Sequence, residues 1–228
     1  PETYRMTSSP TALRPLAIGN VDVGFPVVQA ALSGYSDWAM RKIARRLGAD
    51  FTAAEVVLDR FVLDVVRGSK ARRLLRVDDE HPCGAQLMGS DPAELAEAAA
   101  RLVTQGFDVI DLNFGCPVKK VLGKHRGGYL LGEPQTALEI VARVREAVPE
   151  RVPVTVKMRR GLDDSAESRE KFFEIFEGAF TLGAAAITVH GRTVRQRYEG
   201  HSSWEFVAEV KRWAGQRTVL GSGDLMEA

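Results

Sequence analysis

The sequence predicts an α/β fold, a (β/α)8 TIM barrel, present here as an incomplete barrel of about seven βα units with an N-terminal β-hairpin. Three observations predict it. Short, β-rich apolar runs alternate with amphipathic helical stretches, the pattern of a parallel sheet with helices outside. No Gly-x-Gly-x-x-Gly turn follows the first run, and that fingerprint would have favoured an open doubly wound sheet. Polar residues of unusual type recur at the C-terminal ends of the runs, and in a barrel those ends form the one rim where chemistry is kept. The expected organisation is a segment 1–26 holding the hairpin and a barrel domain 27–228.

Each element has a local reason. Leu16-Ala17-Ile18 and Val21-Asp22-Val23 flank Gly19-Asn20, a dipeptide that favours a tight hairpin turn. Val27 to Ala31 reads as the first barrel strand, ending in Leu32-Ser33-Gly34. Ser36 or Asp37 caps a helix from Trp38 to Leu47, and Gly48 stops it. Phe51 to Ala54 is the second strand, with Glu55 at its end, and Asp59 to Leu75 reads as helical. Cys83 to Leu87 is the third strand. Asp91, Pro92 and Glu94 then start a helix that Gly106 ends. Val109 to Leu112 is the fourth strand. A helix from Pro134 to about Val148 precedes the fifth, Val154 to Met158. The helix from Ser168 to Leu182 carries Phe172, Phe173, Phe176 and Phe180 at core spacing. Ala186 to Val189 is the sixth strand, ending in His190. Trp204 to Trp213 is helical, and Thr218 to Leu220 is the seventh strand, followed by Gly221-Ser222-Gly223-Asp224.

Composition narrows the function classes. The 228 residues carry a formal net charge of +1 and 45% hydrophobic residues, so a sizeable core can form and the molecule as a whole is no polycation. Cys83 and Cys116 are the only cysteines, too few for a disulfide framework and at no zinc spacing, which points to a reducing, cytoplasmic setting. His81-Pro82-Cys83 lacks a third and fourth ligand, so no metal is expected. No apolar run approaches a membrane span, and residues 1–10 lack the apolar core of a secretory signal.

The most informative stretch is Asp111-Leu112-Asn113-Phe114-Gly115-Cys116-Pro117-Val118-Lys119-Lys120. Gly before and Pro after hold a single thiol at a strand's end, where it cannot retreat into a core. Other strand ends supply Gln86, Lys157, Arg159, His190 and Ser222. Lys157 is placed to stabilise a negative charge developing on a ligand, although a lysine snorkelling from a barrel would look the same. Gly221-Ser222-Gly223 lets backbone N–H groups approach a phosphate. Lys119, Lys120, Lys124, His125, Arg126, Arg159, Arg160, Arg192, Arg195 and Arg197 gather in the same loops with Tyr35, Tyr129 and Tyr198. A basic, aromatic face on a near-neutral protein suits RNA.

These residues resemble those of tRNA-dihydrouridine synthases, particularly the bacterial B type. The likeness rests on the Cys116 motif, on Gln86-Leu87-Met88-Gly89-Ser90-Asp91-Pro92, on Val156-Lys157-Met158-Arg159 and on Thr188-Val189-His190-Gly191-Arg192-Thr193, with the Gly223-Asp224 turn, and it extends from about Val27 onward. It implies an FMN-bound barrel that reduces a uridine in tRNA with electrons from NADPH. Hydride passes from flavin to C6 of the uracil, and Cys116 protonates C5. By the same resemblance FMN meets Ala31, Leu32 and Ser33 in the first-strand turn, Gln86, Lys157 and His190, and the loop Ser222, Gly223 and Asp224. Asn113, Lys119, Lys120, Arg159 and Arg192 are expected to meet the RNA.

Some residues depart from the family's pattern. The first-strand turn is usually Ala-Pro-Met-Ala-Gly and here reads Ala30-Ala31-Leu32-Ser33-Gly34; the strand-seven loop usually begins with Asn and here has Ser222. The eighth strand, its phosphate turn and the helical RNA-binding domain are not in this sequence, so the chain is expected to be a fragment of a longer protein. Two further readings stay open: an FMN barrel reducing a small molecule, in the manner of dihydroorotate dehydrogenases, and a non-catalytic RNA-binding remnant.

Overall fold

A computed structural model describes residues 13–64 and 75–225. The hairpin is present as β1 (Leu16–Ile18) and β2 (Val21–Gly24), antiparallel, turning at Gly19 with φ 58°. Six parallel strands follow: β3 (Thr52–Leu58), β4 (Cys83–Met88), β5 (Val109–Phe114), β6 (Val154–Arg159), β7 (Ala186–His190) and β8 (Thr218–Ser222), each bonded to the next. The helices are α1 (Trp38–Arg46), α2 (Asp59–Asp64), α3 (Pro92–Thr104), α4 (Lys119–Leu122), α5 (Pro134–Ala147), α6 (Ala166–Thr181) and α7 (Trp204–Ala214), with a 3-10 turn at Gly127–Gly132.

The strands curl rather than lie flat. Ala53 from β3 and Leu220 from β8, at opposite ends of the strand order, line one cavity. This is the barrel curvature that the alternation predicts. The sheet is not closed: among the described residues β8 pairs only with β7.

Outward-facing side chains such as Ile110, Leu112, Val156 and Ile187 pack against the inner faces of α3, α5 and α6 in one continuous core. Phe172 and Phe176 are fully buried there, and Phe172 meets Phe206 of α7 edge to face. The hairpin closes the opposite end of the barrel. Its Ile18 and Val23 pack on Phe51, Val109 and Ala186 at the strands' N-terminal ends. Asn20 Nδ2 donates to the Arg151 carbonyl (3.0 Å), fixing the hairpin from the side.

Caps fall where the side-chain chemistry puts them. Asp37, not Ser36, caps α1, accepting from Met40 N, while Ser36 Oγ bonds back to the turn at Leu32. Asp91 Oδ1 accepts from Ala93 N and Glu94 N above Pro92. Helices α1 and α3 are followed by Gly48 and Gly106 at φ 98° and 100°.

Four expectations need correction. Val27–Ala31 pairs at a single residue only: Gln29 N donates to Phe51 O and Gln29 O accepts from Ala53 N, and among the described residues no strand pairs with its other side. The second strand runs on to Leu58, so Glu55 sits inside it, where Oε2 accepts from Gly34 N (2.7 Å). The fourth strand reaches Phe114 and the fifth Arg159, which makes Asn113 and Arg159 ladder residues rather than residues beyond the strands. The helix read over Asp59–Leu75 is α2, Asp59–Asp64; Leu75 is not helical, and residues 65–74 lie outside the described residues.

Candidate active site at the C-terminal rim

Side chains alternate across each strand, and this sets several polar groups in an otherwise largely apolar inner wall. With Ile110, Leu112 and Phe114 facing the helices, Asp111 and Asn113 of β5 face inward. With Val154, Val156 and Met158 outside, Thr155 and Lys157 of β6 do the same. A cavity of about 200 Å³ occupies the barrel, and Gln86, Asp111, Thr155, Lys157 and Ser222 line it.

These groups form a directed chain of hydrogen bonds. Thr155 Oγ1 donates to Asp111 Oδ1 (2.6 Å), and Gln86 Nε2 donates to Asp111 Oδ2 (2.6 Å). Asn113 Nδ2 donates to Gln86 Oε1 (2.7 Å). Asn113 Oδ1 then accepts from Gly115 N and Cys116 N, both at 3.0 Å. The chain therefore runs from the barrel wall to the backbone of the cysteine loop. Burial pushes the Asp111 carboxyl above the usual carboxylate range, against the opposing pull of Thr155, Gln86 and the Lys157 charge.

Cys116 is half-buried on the rim. Its carbonyl accepts from Gly128 N (3.0 Å), and a Cβ on Gly127 would come within 2.8 Å of its own Cβ. Gly127 also sits at φ 58°, so glycine there serves both the backbone and the close approach. Cys83 differs in every respect: it is fully buried at the start of β4, and burial pushes its thiol up to about 11.

Lys157 Nζ donates to Ser222 Oγ (3.3 Å) across β7. Burial, seconded by Arg159 and opposed by Asp111, lowers its pKa to about 8. His190 ends β7, and burial together with the charges of Arg159, Lys157 and Arg192 lowers its pKa to about 4. Arg192 Nη1 donates to His190 Nε2 (3.4 Å), which fits a neutral imidazole with its proton on Nδ1. Ser222-Gly223-Asp224 is held from α7's entry: Ser202 N donates to Asp224 Oδ2 (2.7 Å) and Trp204 Nε1 to Gly223 O (3.0 Å). The Ser202 N–H and the Arg192 guanidinium keep Asp224 below the usual carboxylate range.

Of the residues the sequence singled out for a cofactor, Ala31, Gln86, Lys157, Ser222 and Gly223 line the cavity. Leu32 and Ser33 lie on the exposed turn beside it. His190 and Asp224 stand at the rim. Of those singled out for RNA, Lys119 and Lys120 are exposed on α4 beside Cys116. Arg159 and Arg192 are buried. Arg159 donates to the carbonyls of Gly115, Thr193 and Arg197, tying the cysteine loop to the loop after β7. Arg192 donates to Gly200 O and Asp224.

Asp111, Thr155 and Gln29 are wall residues that the sequence did not single out. For Asp111 and Thr155 the signal was the period-two alternation in Val-Ile-Asp-Leu-Asn-Phe and Val-Thr-Val-Lys-Met, which places these polar side chains of β5 and β6 on the inner face; Gln29 had no such signal.

Comparison with known proteins decides the family. The family model described as Dihydrouridine synthase (Dus) matches residues 28–228. The chain belongs to the dihydrouridine synthase family. Among its relatives are the "Probable tRNA-dihydrouridine synthase" of Rickettsia conorii, 37% identical over 92% of this chain, and the "tRNA-dihydrouridine synthase B" of Pseudomonas aeruginosa, 37% identical over 87%. The aligned region spans 62% and 58% of those two relatives, so this chain corresponds to roughly three-fifths of a curated dihydrouridine synthase. Two solved structures share the fold: histamine dehydrogenase from Rhizobium sp. 4-9 (TM-score 0.63, 17% identity, covering 92% of this chain and 42% of that one) and morphinone reductase (TM-score 0.56, 14% identity, 93% and 87%). The Cys116 loop, Lys157 and His190 all lie within the region that the dihydrouridine synthase model matches.

Proposed function

We propose that this chain forms the catalytic barrel of an enzyme that reduces a uridine in tRNA to 5,6-dihydrouridine, with FMN as cofactor and NADPH as electron donor. The observation that supports it most is a half-buried thiol just past the C-terminal end of β5, in a barrel whose cavity wall carries Lys157.

The wall has the chemistry to hold a flavin. Gln29 Oε1 is buried and has no hydrogen-bond partner among the described residues. Lys157 Nζ uses one of its three donors on Ser222. Gln86 keeps one amide hydrogen and one lone pair beyond the bonds to Asp111 and Asn113. Gly223 has φ 103° and no room for a Cβ, so its backbone can approach a phosphate. When bound, FMN would supply hydride to C6 of the uracil.

The chain's own residues do the rest. Cys116 holds the proton that goes to C5, and the thiol form is the one that can give it. Lys157 offers a cation where negative charge gathers on a reduced ring. His190, neutral, offers a hydrogen bond without adding charge. Ala31, Leu32 and Ser33 border the cavity's mouth, and Ser222, Gly223 and Asp224 form the phosphate-side loop. Lys119 and Lys120 contact RNA phosphates. Asn113, Arg159 and Arg192 shape the loops on which the target base rests, after that base has left the RNA stack. Such an enzyme works in the cytoplasm, where its tRNA substrate is.

The test is chemical. Purified protein should carry a flavin spectrum and convert uridine to dihydrouridine in unmodified tRNA supplied with NADPH. Its RNA affinity should fall steeply with salt. Flavin turnover without dihydrouridine, on any tRNA offered, would point instead to a small-molecule reductase.

A further inference from the structure

The chain from Gln29 to Tyr35 forms the turn beside the cavity, and little of the sheet holds it. We infer that Glu55 is a positioning residue for the cofactor seat: its carboxylate accepts from Gly34 N and so fixes the turn Ala31–Gly34 against β3. Resting on the flavin reading of the cavity, the role falls to a residue that does not itself line that cavity.

The need for such a residue lies in the pairing. Gln29 N donates to Phe51 O and Gln29 O accepts from Ala53 N, both at 3.1 Å. Beyond Gln29 this ladder stops among the described residues, yet Ala31 two positions on lines the cavity. Other bonds close the turn on itself. Tyr35 N donates to Leu32 O (3.0 Å), and Ser36 Oγ accepts from Leu32 N (2.7 Å). Arg41 Nη1 donates to Ser36 O (3.1 Å), which ties the far end of the turn to α1. None of these bonds reaches the sheet. The bond from Gly34 N to Glu55 Oε2 does, at 2.7 Å. It gives the turn a second attachment to β3, on a carboxylate, the stronger kind of acceptor.

The strand is shaped to deliver that carboxylate. Ala53 pairs with Gly84 and Val56 with Gln86, so β3 spends three steps where β4 spends two. The extra residue is a β-bulge, a device that re-aims a side chain next to a site. Strict alternation would put Ala54 and Val57 on opposite faces of the sheet. Both belong to the core outside the barrel, at 1% and 4% exposure, because the bulge falls between them. Glu55 lies within that bulge, half-buried, on the strand that neighbours the turn.

The experiment compares the parent with Glu55→Ala and Glu55→Gln; glutamine keeps an acceptor oxygen at the same reach. Release of added FMN is followed by its fluorescence on dilution. Hydrogen exchange at Gly34 N is followed by NMR in cofactor-free protein. Glu55→Ala should speed both by about tenfold or more, the loss of one hydrogen bond to a charged acceptor. Glu55→Gln should stay within about threefold of the parent. Exchange at Leu112, buried in β5, should not change, which separates seating of the turn from general stability. Parental FMN release from Glu55→Ala would overturn the assignment. So would Glu55→Gln as fast as Glu55→Ala, or Leu112 exchange that rises as much as that of Gly34. A Glu55→Ala chain that does not fold would overturn it too, since the residue would then serve the whole fold. A parent that retains no FMN removes the flavin reading instead, and Gly34 exchange alone then decides whether Glu55 holds the turn.

Discussion

Lys157 Nζ donates to Ser222 Oγ across 3.3 Å, linking β6 to β8 over the intervening strand. The bond holds a cation against the cavity with its pKa lowered to about 8, chiefly by burial. The lysine is charged below that value and neutral above it. A reaction that uses the cation should therefore lose rate as pH rises through about 8. Lys157→Arg, which stays charged throughout, should remove that limb from the pH–rate profile even if its maximum is lower. Asp111 opposes the shift, so Asp111→Asn should move the limb to lower pH.

His190 ties stability to pH. Its pKa falls from 6.5 to about 4, so the folded protein resists protonating it. The sign follows from proton binding: between pH 6.5 and about 4 the unfolded chain takes up a proton that the folded one does not. Stability from this group is complete above 6.5 and declines as pH drops towards 4. On acidification through that window, His190→Gln should lose less stability than the parent, as read from urea midpoints.

Gly223 tests the loop proposed to meet the cofactor phosphate. A Cβ there would lie 2.7 Å from both His190 Nε2 and Ser202 Oγ, on a backbone at φ 103°. Gly223→Ala should lower flavin retention about tenfold or more while leaving the distant hairpin and α3 intact, a strain of the size that left-handed non-glycine residues carry. Flavin content after gel filtration, with circular dichroism as the control, measures it.

Arg41 and Glu80 form a wholly buried ion pair beneath α1 (3.0 Å), and Arg41 also donates to the carbonyls of Ser36 and Arg76. Glu80→Ala should cost about 3–5 kcal/mol in urea unfolding, because it strands a buried guanidinium. Arg41→Met with Glu80→Leu should cost much less, since no charge is then left unpaired.

How much of this was legible in the sequence differs by residue. The helices α3 and α6 were readable because Asp91-Pro92 and the phenylalanine spacing act locally. The cysteine loop was readable because Pro117 restricts the backbone and Gly115 beside it permits a tight turn. The extent of β5 and β6 was not, because Asn113 and Arg159 look like loop residues until a neighbouring strand pairs with them. The single-residue pairing at Gln29 depends on what lies beside it in the sheet, which no local pattern encodes. Arg192 and Arg159 read as surface cations from sequence. Their burial comes from the carbonyls of Gly115, Thr193, Arg197 and Gly200, which only the folded loops bring around them. Asp111 stood inside the most conspicuous motif, but its partners Gln86 and Thr155 lie on adjacent strands.

The most direct measurement of the central claim is a single-turnover assay of Cys116→Ala with reduced flavin and unmodified tRNA. Flavin content and tRNA affinity should be unchanged, with dihydrouridine formation slowed by roughly a hundredfold or more, the usual contribution of a positioned general acid. Dihydrouridine formed at the parental rate would contradict it.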